Sequence, residues 1–271
     1  MKEKTSLKNK AICGIFWSAV ERFLSQGIQF VVTVIMARFL LPSDYGMVGM
    51  LAIVLQLSQT LMDSGFTNAL IRYKERTEID YSTVFFFNIL ASLVIYFLIF
   101  FLAPYISWFY KIGQLVEITR ILSIVIVLNS FAIIPKTKLI IAVDFKTQSK
   151  VSFIAALVSG IIGIWAAYLD FGVWALVGQT LVNGLLIVVL YAYFCRWKPL
   201  WIFSLKSFRL LFAFGSKLVL ANILNTLYKN LYAIVIGKKF SSVDLGFYTR
   251  AEQFAQFPSY NLSAIISRVT Y

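Results

Sequence analysis

Apolar runs long enough to cross a bilayer, separated by short polar clusters, fill almost the whole sequence. A spanning helix needs about 20 mostly apolar residues. Eight segments reach that length: 12–40, 45–69, 82–104, 118–142, 149–169, 172–195, 211–236 and 247–271. The pattern predicts an all-α integral membrane protein of about eight transmembrane helices. Two of the connections carry turn chemistry, Leu41-Pro42-Ser43-Asp44-Tyr45-Gly46 and Asp170-Phe171-Gly172. Short connections imply antiparallel neighbours, hence an up-down bundle. The first segment is too long and too polar for a cleavable signal peptide, whose apolar stretch runs about 7–15 residues.

Polar residues interrupt four of these segments at helical spacing. The first carries Ser18, Arg22, Ser25, Gln29 and Thr33 on one face, with Phe23, Phe30, Val31 and Val34 on the other. The seventh repeats the arrangement with Asn222, Asn225, Lys229 and Tyr232. Gln56, Gln59, Thr60 and Asp63 mark the second, and Gln256, Tyr260, Ser263 and Ser267 the eighth. Two readings stand side by side. The stripes form interhelical hydrogen-bond seams, worth about 0.6 kcal/mol per bond, or they line a hydrated cavity whose cations hold an anionic substrate. A full charge at mid-bilayer costs at least about 2.5–3.5 kcal/mol, so Arg22 and Lys229 favour the cavity. The substrate-binding candidates are therefore Arg22, Ser18, Ser25, Gln29, Gln56, Asn222, Asn225 and Lys229. Glu21 cannot share a helix face with the adjacent Arg22, which leaves Lys217 as its candidate partner for pairing or coupling. Asp63 reads as a helix-end residue. Gly160, Gly163, Gly172 and Gly178 read as sites of close helix approach.

Composition supports the membrane reading. Of the 271 residues, 60% are hydrophobic and 14% charged, and mean hydropathy is +0.81; a soluble domain carries roughly 25% charged residues. The net charge of +13 has its cause in the loops. On the N-terminal side lie Lys2, Lys4, Lys8, Lys10, Arg72, Lys74, Arg76, Lys136, Lys138, Lys146, Lys150, Arg196, Lys198, Lys206 and Arg209, fifteen in all. On the other side are six, Arg38, Lys111, Arg120, Lys238, Lys239 and Arg250. That bias predicts a cytoplasmic N-terminus and accounts for the basic balance without nucleic acid. Trp108, Tyr105 and Tyr110 fall at one interface, Trp197 and Trp201 at the other. With no histidine and only Cys13 and Cys195, no metal site, disulfide framework or cofactor is expected. No nucleophile–base arrangement, carboxylate pair or phosphate loop points to an enzyme. A membrane-embedded glycan polymerase or ligase should show a large catalytic loop, and the longest connection here, roughly 196–210, is short and basic.

An internal repeat adds architecture. Arg38, Asp44 and Gly46 after the first segment recur as Lys238, Asp244 and Gly246 after the seventh, at an offset of 200 residues. Six spans separate the copies, so both keep the same orientation, as in parallel repeats related by an axis along the membrane normal. The prediction is a six-helix lobe over 1–210 and the start of a second, incomplete lobe over 211–271. The sequence stops at Arg268-Val269-Thr270-Tyr271 within an amphipathic run, which suggests a truncated two-lobe transporter unable to transport alone. The first six helices should form a compact bundle, with the last two docked more loosely.

Several motifs resemble a known family. They are Trp17-Ser18 with Glu21-Arg22-Phe23; Ala37-Arg38-Phe39-Leu40 with Pro42-Ser43-Asp44-Tyr45-Gly46; Asp63-Ser64-Gly65-Phe66 with Ala69-Leu70-Ile71-Arg72; Phe171-Gly172-Val173-Trp174-Ala175-Leu176-Val177; and Ile236-Gly237-Lys238 followed by Leu245-Gly246-Phe247-Tyr248-Thr249-Arg250-Ala251-Glu252. Together they resemble Wzx-like polysaccharide transporters, near the colanic-acid exporter group of the multidrug/oligosaccharidyl-lipid/polysaccharide exporter superfamily. The resemblance implies two six-helix lobes and alternating access. It also implies translocation of undecaprenyl-diphosphate-linked oligosaccharide across the cytoplasmic membrane, with membrane lipid and polysaccharide polymerase machinery as partners. A drug exporter of the same superfamily is the competing reading within the class.

Overall fold

The computed structural model describes residues 27–63, 65–73 and 75–255, without the side chains at 63, 214, 217 and 218. The described part of the first segment is helix α1, Gly27–Met36. There follow α2 (Pro42–Asp63), α3 (Phe66–Arg72), α4 (Glu78–Tyr110), α5 (Leu115–Leu122), α6 (Ile124–Ile141), α7 (Phe145–Tyr168), α8 (Val173–Cys195) and α9 (Leu205–Lys239). A last helix, α10, covers 242–255. Among the described residues there is no strand.

Six stretches are long and apolar enough to cross a membrane: Pro42–Arg72, Glu78–Tyr110, Leu115–Ile141, Phe145–Tyr168, Val173–Cys195 and Val219–Lys239. They coincide with the second to seventh expected segments, and the protein is a multi-pass, all-α integral membrane protein. Residues 12–26 and 256–271, and with them Cys13, lie outside the described residues.

Local chemistry sets the boundaries. Thr77 and Asp80 form a reciprocal cap at the start of α4: Thr77 N–H donates to Asp80 Oδ2 (2.7 Å) and Asp80 N–H to Thr77 Oγ1 (3.4 Å). Asp144 accepts from Thr147 N–H (3.0 Å) at the start of α7, and Ser204 from Ser207 N–H (3.3 Å) at the start of α9. The connection after α8 is therefore 196–204, shorter than expected. The fourth segment bends at Ser123, where α5 gives way to α6. Pro104 sits inside α4, so the carbonyl of Phe100 loses its helical donor. Arg120 of α5 replaces it, donating from Nε (3.4 Å) while its guanidinium lies 4.3 Å from the Phe100 ring centroid.

The interior is rich in small polar residues. Ser82, Thr83, Ser92, Ser130 and Thr137 are buried, and each hydroxyl donates to a carbonyl three or four residues earlier in its own helix. Burial in an apolar medium then leaves no unpaired hydroxyl donor among them. Large apolar side chains such as Phe101, Leu90, Ile161 and Trp165 point outward, as lipid-facing residues do. Gly160 and Gly163 do permit close approach: a Cβ at Gly160 would meet Val32 Cγ2 at 2.6 Å, and one at Gly163 would meet Gln179 Cβ at 3.0 Å. Gly178 has open space around it, contrary to expectation. Gly172 serves the backbone instead, with φ +53° before α8.

One end of the bundle is fixed by Glu78. It pairs with Lys138 at the end of α6 (2.7 Å) and accepts from Trp197 Nε1 beyond α8 (2.7 Å). Leu200 N–H donates to Ser82 Oγ (2.9 Å) and Ser204 N–H to Thr83 Oγ1 (3.1 Å), so the 196–204 connection lies along the start of α4. The first half of α9 continues that docking. Leu211 is buried with Phe66, Leu70, Val84, Phe85 and Ile134, and Phe208 packs on the same cluster. This part of α9 is firmly seated, unlike the loose docking expected; the later stretch, Val219–Lys239, is far more exposed.

Candidate functional site

Helix α9 runs beside α2, and polar residues meet where they adjoin. Gln56, Gln59 and Thr60 on α2 face Asn222, Asn225 and Thr226 on α9, with Gly65 at one end, around a cleft of ≈ 360 Å³. The spacing explains the alignment: residues three or four apart occupy one helical face. Three cross-helix contacts frame the cleft. Asn230 Nδ2 donates to Gln56 Oε1 (2.9 Å), Asn129 Nδ2 of α6 donates to Gln59 Oε1 (3.3 Å), and the hydroxyls of Thr60 and Thr226 lie 3.4 Å apart. With their carbonyls engaged, Gln56 and Gln59 keep amide protons to offer. Asn222 and Asn225 present both a donor and an acceptor. The lining contains amides and hydroxyls, with no charged and no aromatic side chain among the described residues.

The expected site residues divide accordingly. Gln56, Asn222 and Asn225 come together in this cleft. Lys229 is exposed, one turn beyond Asn225. Gln29 goes elsewhere: it lines a second cleft of ≈ 170 Å³ between α1, α7 and α8, with Ser159, Gln179, Thr180 and Asn183. There Asn183 Nδ2 donates to Ser159 Oγ (3.1 Å). Ser18, Glu21, Arg22 and Ser25, like the side chain of Lys217, lie outside the described residues. Thr226, Asn230 and Asn129 were not anticipated. The signal for the first two was an i, i+4 row running Asn222, Thr226, Asn230, knit by Thr226 Oγ1 donating to Asn222 O and Asn230 Nδ2 to Thr226 O.

The profile of the polysaccharide biosynthesis protein family matches residues 35–271. The chain belongs to that family. Its similarity to named family relatives covers nearly its whole length. It is 26% identical to the teichuronic acid biosynthesis protein TuaB of Bacillus subtilis, over 98% of this chain and 56% of that protein. It is 26% identical to the succinoglycan biosynthesis transport protein ExoT of Rhizobium meliloti, over 90% and 49%. It is 27% identical to the lipopolysaccharide biosynthesis protein WzxC of Escherichia coli, over 98% and 54%. The resemblance to Wzx-like transporters therefore holds. The chain spans about half the length of the curated relatives it matches. No solved structure matches it significantly.

Proposed function

We propose that this chain supplies the first lobe, 1–210, and the opening helices of a second lobe, from 211 onward, of a flippase. The flippase carries undecaprenyl-diphosphate-linked oligosaccharide across the cytoplasmic membrane by alternating access. The observation that carries the reading is the neutral amide-and-hydroxyl cleft between α2 and α9, set within membrane-spanning helices of a polysaccharide biosynthesis family member. A glycan is a dense array of hydroxyl donors and acceptors, and side-chain amides pair with both. A drug exporter would be better served by aromatic walls, and the described residues of this lining are amides, hydroxyls and a glycine. Lys229, one turn beyond Asn225, and Arg22 of the first segment are the cations assigned to the diphosphate. The basic loops orient the N-terminus toward the cytoplasm, in a bacterial inner membrane.

Complementation of a flippase-deficient strain by the full-length gene product tests this. Gln56→Ala and Asn225→Ala should each lower glycan export about three- to twentyfold, the equivalent of a membrane hydrogen bond worth about 0.6–1.7 kcal/mol, at unchanged membrane levels. Arg22→Ala and Lys229→Ala should also lower export, and Arg22→Lys should retain part of it because charge persists while the bidentate fork is lost. Unchanged export per folded molecule in the cleft variants would reduce the cleft to a packing seam.

A further inference from the structure

We propose that the first turns of α2 and α10 form the outer gate of this cleft, held closed here by a reciprocal glycine contact. The inference rests on the transporter reading and names how access to its site is controlled. Both turns are built alike. Asp44 Oδ2 accepts from Leu41 N–H (3.0 Å) and Asp244 Oδ2 from Ser241 N–H (3.1 Å), the same bond at the 200-residue offset. The turns then dock on each other. A Cβ placed on Gly46 would overlap the carbonyl of Ser242, 2.6 Å from its carbon, and one on Gly246 would overlap the carbonyl of Pro42, 2.7 Å from its carbon. Exchanging the copies turns one contact into the other, as a two-fold axis requires. On that axis a residue should meet its own counterpart, and it does: a Cβ on Gly49 would lie 3.0 Å from Thr249 Cγ2.

Side chains seal the joint. Arg250 lies over the Tyr45 ring, 3.8 Å from its centroid; the corresponding pair, Leu245 and Met50, share one apolar cluster with Met47 and Leu51. Gly46 precedes Gln56 by ten residues, about 15 Å of helix rise, so the seal sits beyond the cleft toward the start of α2.

Two features make this a gate and not a permanent seam. The closest contacts are glycine on carbonyl, backbone against backbone. The Tyr45 hydroxyl and Arg250 Nε are buried with no hydrogen-bond partner among the described residues. An unmade buried bond opposes closure, and separation of the turns would admit water to both groups.

The test uses the full-length protein with Cys13 and Cys195 replaced by serine. Asn225→Cys in the cleft is labelled on intact cells with a membrane-impermeant maleimide, with and without Gly246→Ala. The wedge should raise labelling from outside about tenfold by favouring the open form; unchanged labelling in normally inserted protein overturns the gate. In a second arm, Gly49→Cys with Thr249→Cys should form a disulfide, which stops glycan export until it is reduced. Failure to cross-link, or full export by the cross-linked protein, overturns the gate even where the wedged variant does not accumulate. The maleimide readout needs no transport. A labelling response in these variants, beside failure of the unaltered full-length protein to restore glycan export, would therefore sink the flippase reading and leave the gate standing.

Discussion

Pro104 has no amide proton to give Phe100, and the side chain that supplies one, Arg120, comes from the next helix. In a bilayer no water reaches such a carbonyl, so this donor ties α4 to α5 in addition to the packing of Ile106 and Tyr110 on Leu115, Ile118 and Leu122. Arg120→Met should therefore lower thermal stability in detergent, by about 1–3 kcal/mol for a buried acceptor left unpaired. Adding Pro104→Ala restores the helical donor and should recover most of that loss; additive losses in a double-mutant cycle would refute the link. Some residues of the site were equally legible, others not. Gln56, Asn222 and Asn225 could be placed on faces from their spacing, and those faces meet. Spacing names a face but not the neighbour across it. Gln29 was grouped with them because its stripe has the same period, yet Gly160 admits Val32 so closely that α1 packs on α7 and carries Gln29 to another cleft. Asn129 stood alone in an apolar run, where no period could point to Gln59.

At the scale of elements, the connection between α8 and α9 behaves as a strap. Three hydrogen bonds to Glu78, Ser82 and Thr83 hold it against α4. The Glu78–Lys138 pair is partly exposed and by itself is worth about 0–1 kcal/mol. Its larger role is to aim a carboxylate at the Trp197 indole. Glu78→Gln weakens both partners, and in inverted vesicles trypsin should then cut after the exposed Arg196, ahead of Trp197, several times faster than in the unaltered protein. Equal cleavage would mean that the backbone bonds to Ser82 and Thr83 suffice. The sequence suggests a short basic connection over roughly 196–210 because hydrophobicity dips there. Ser204 caps α9 early, however, and Phe208 and Leu211 turn the dip into a packed helix start.

For the whole molecule, alternation of spans puts residues 75, 147 and 205 at one end and 44, 112, 170 and 242 at the other. Labelling of single cysteines at these positions should report the first set, with residue 5, as cytoplasmic and the second as periplasmic; outside labelling at 75 would reverse the proposed orientation. Spans two to seven were readable because apolar length is a strong signal, whereas the meeting of Gly46 with Ser242 depends on packing between distant helices. The neutrality of the α2–α9 cleft carries an electrical consequence. One elementary charge moved through the membrane field exchanges about 2.3 kcal/mol per 100 mV. Amides and hydroxyls carry none, so the described lining transfers no charge of its own as the cleft rocks from one side to the other. Voltage dependence of export then enters through the cargo's diphosphate and the cations assigned to it, so Lys229→Gln should change how steeply export responds to membrane potential, whereas Gln56→Ala and Asn225→Ala should leave that steepness unchanged.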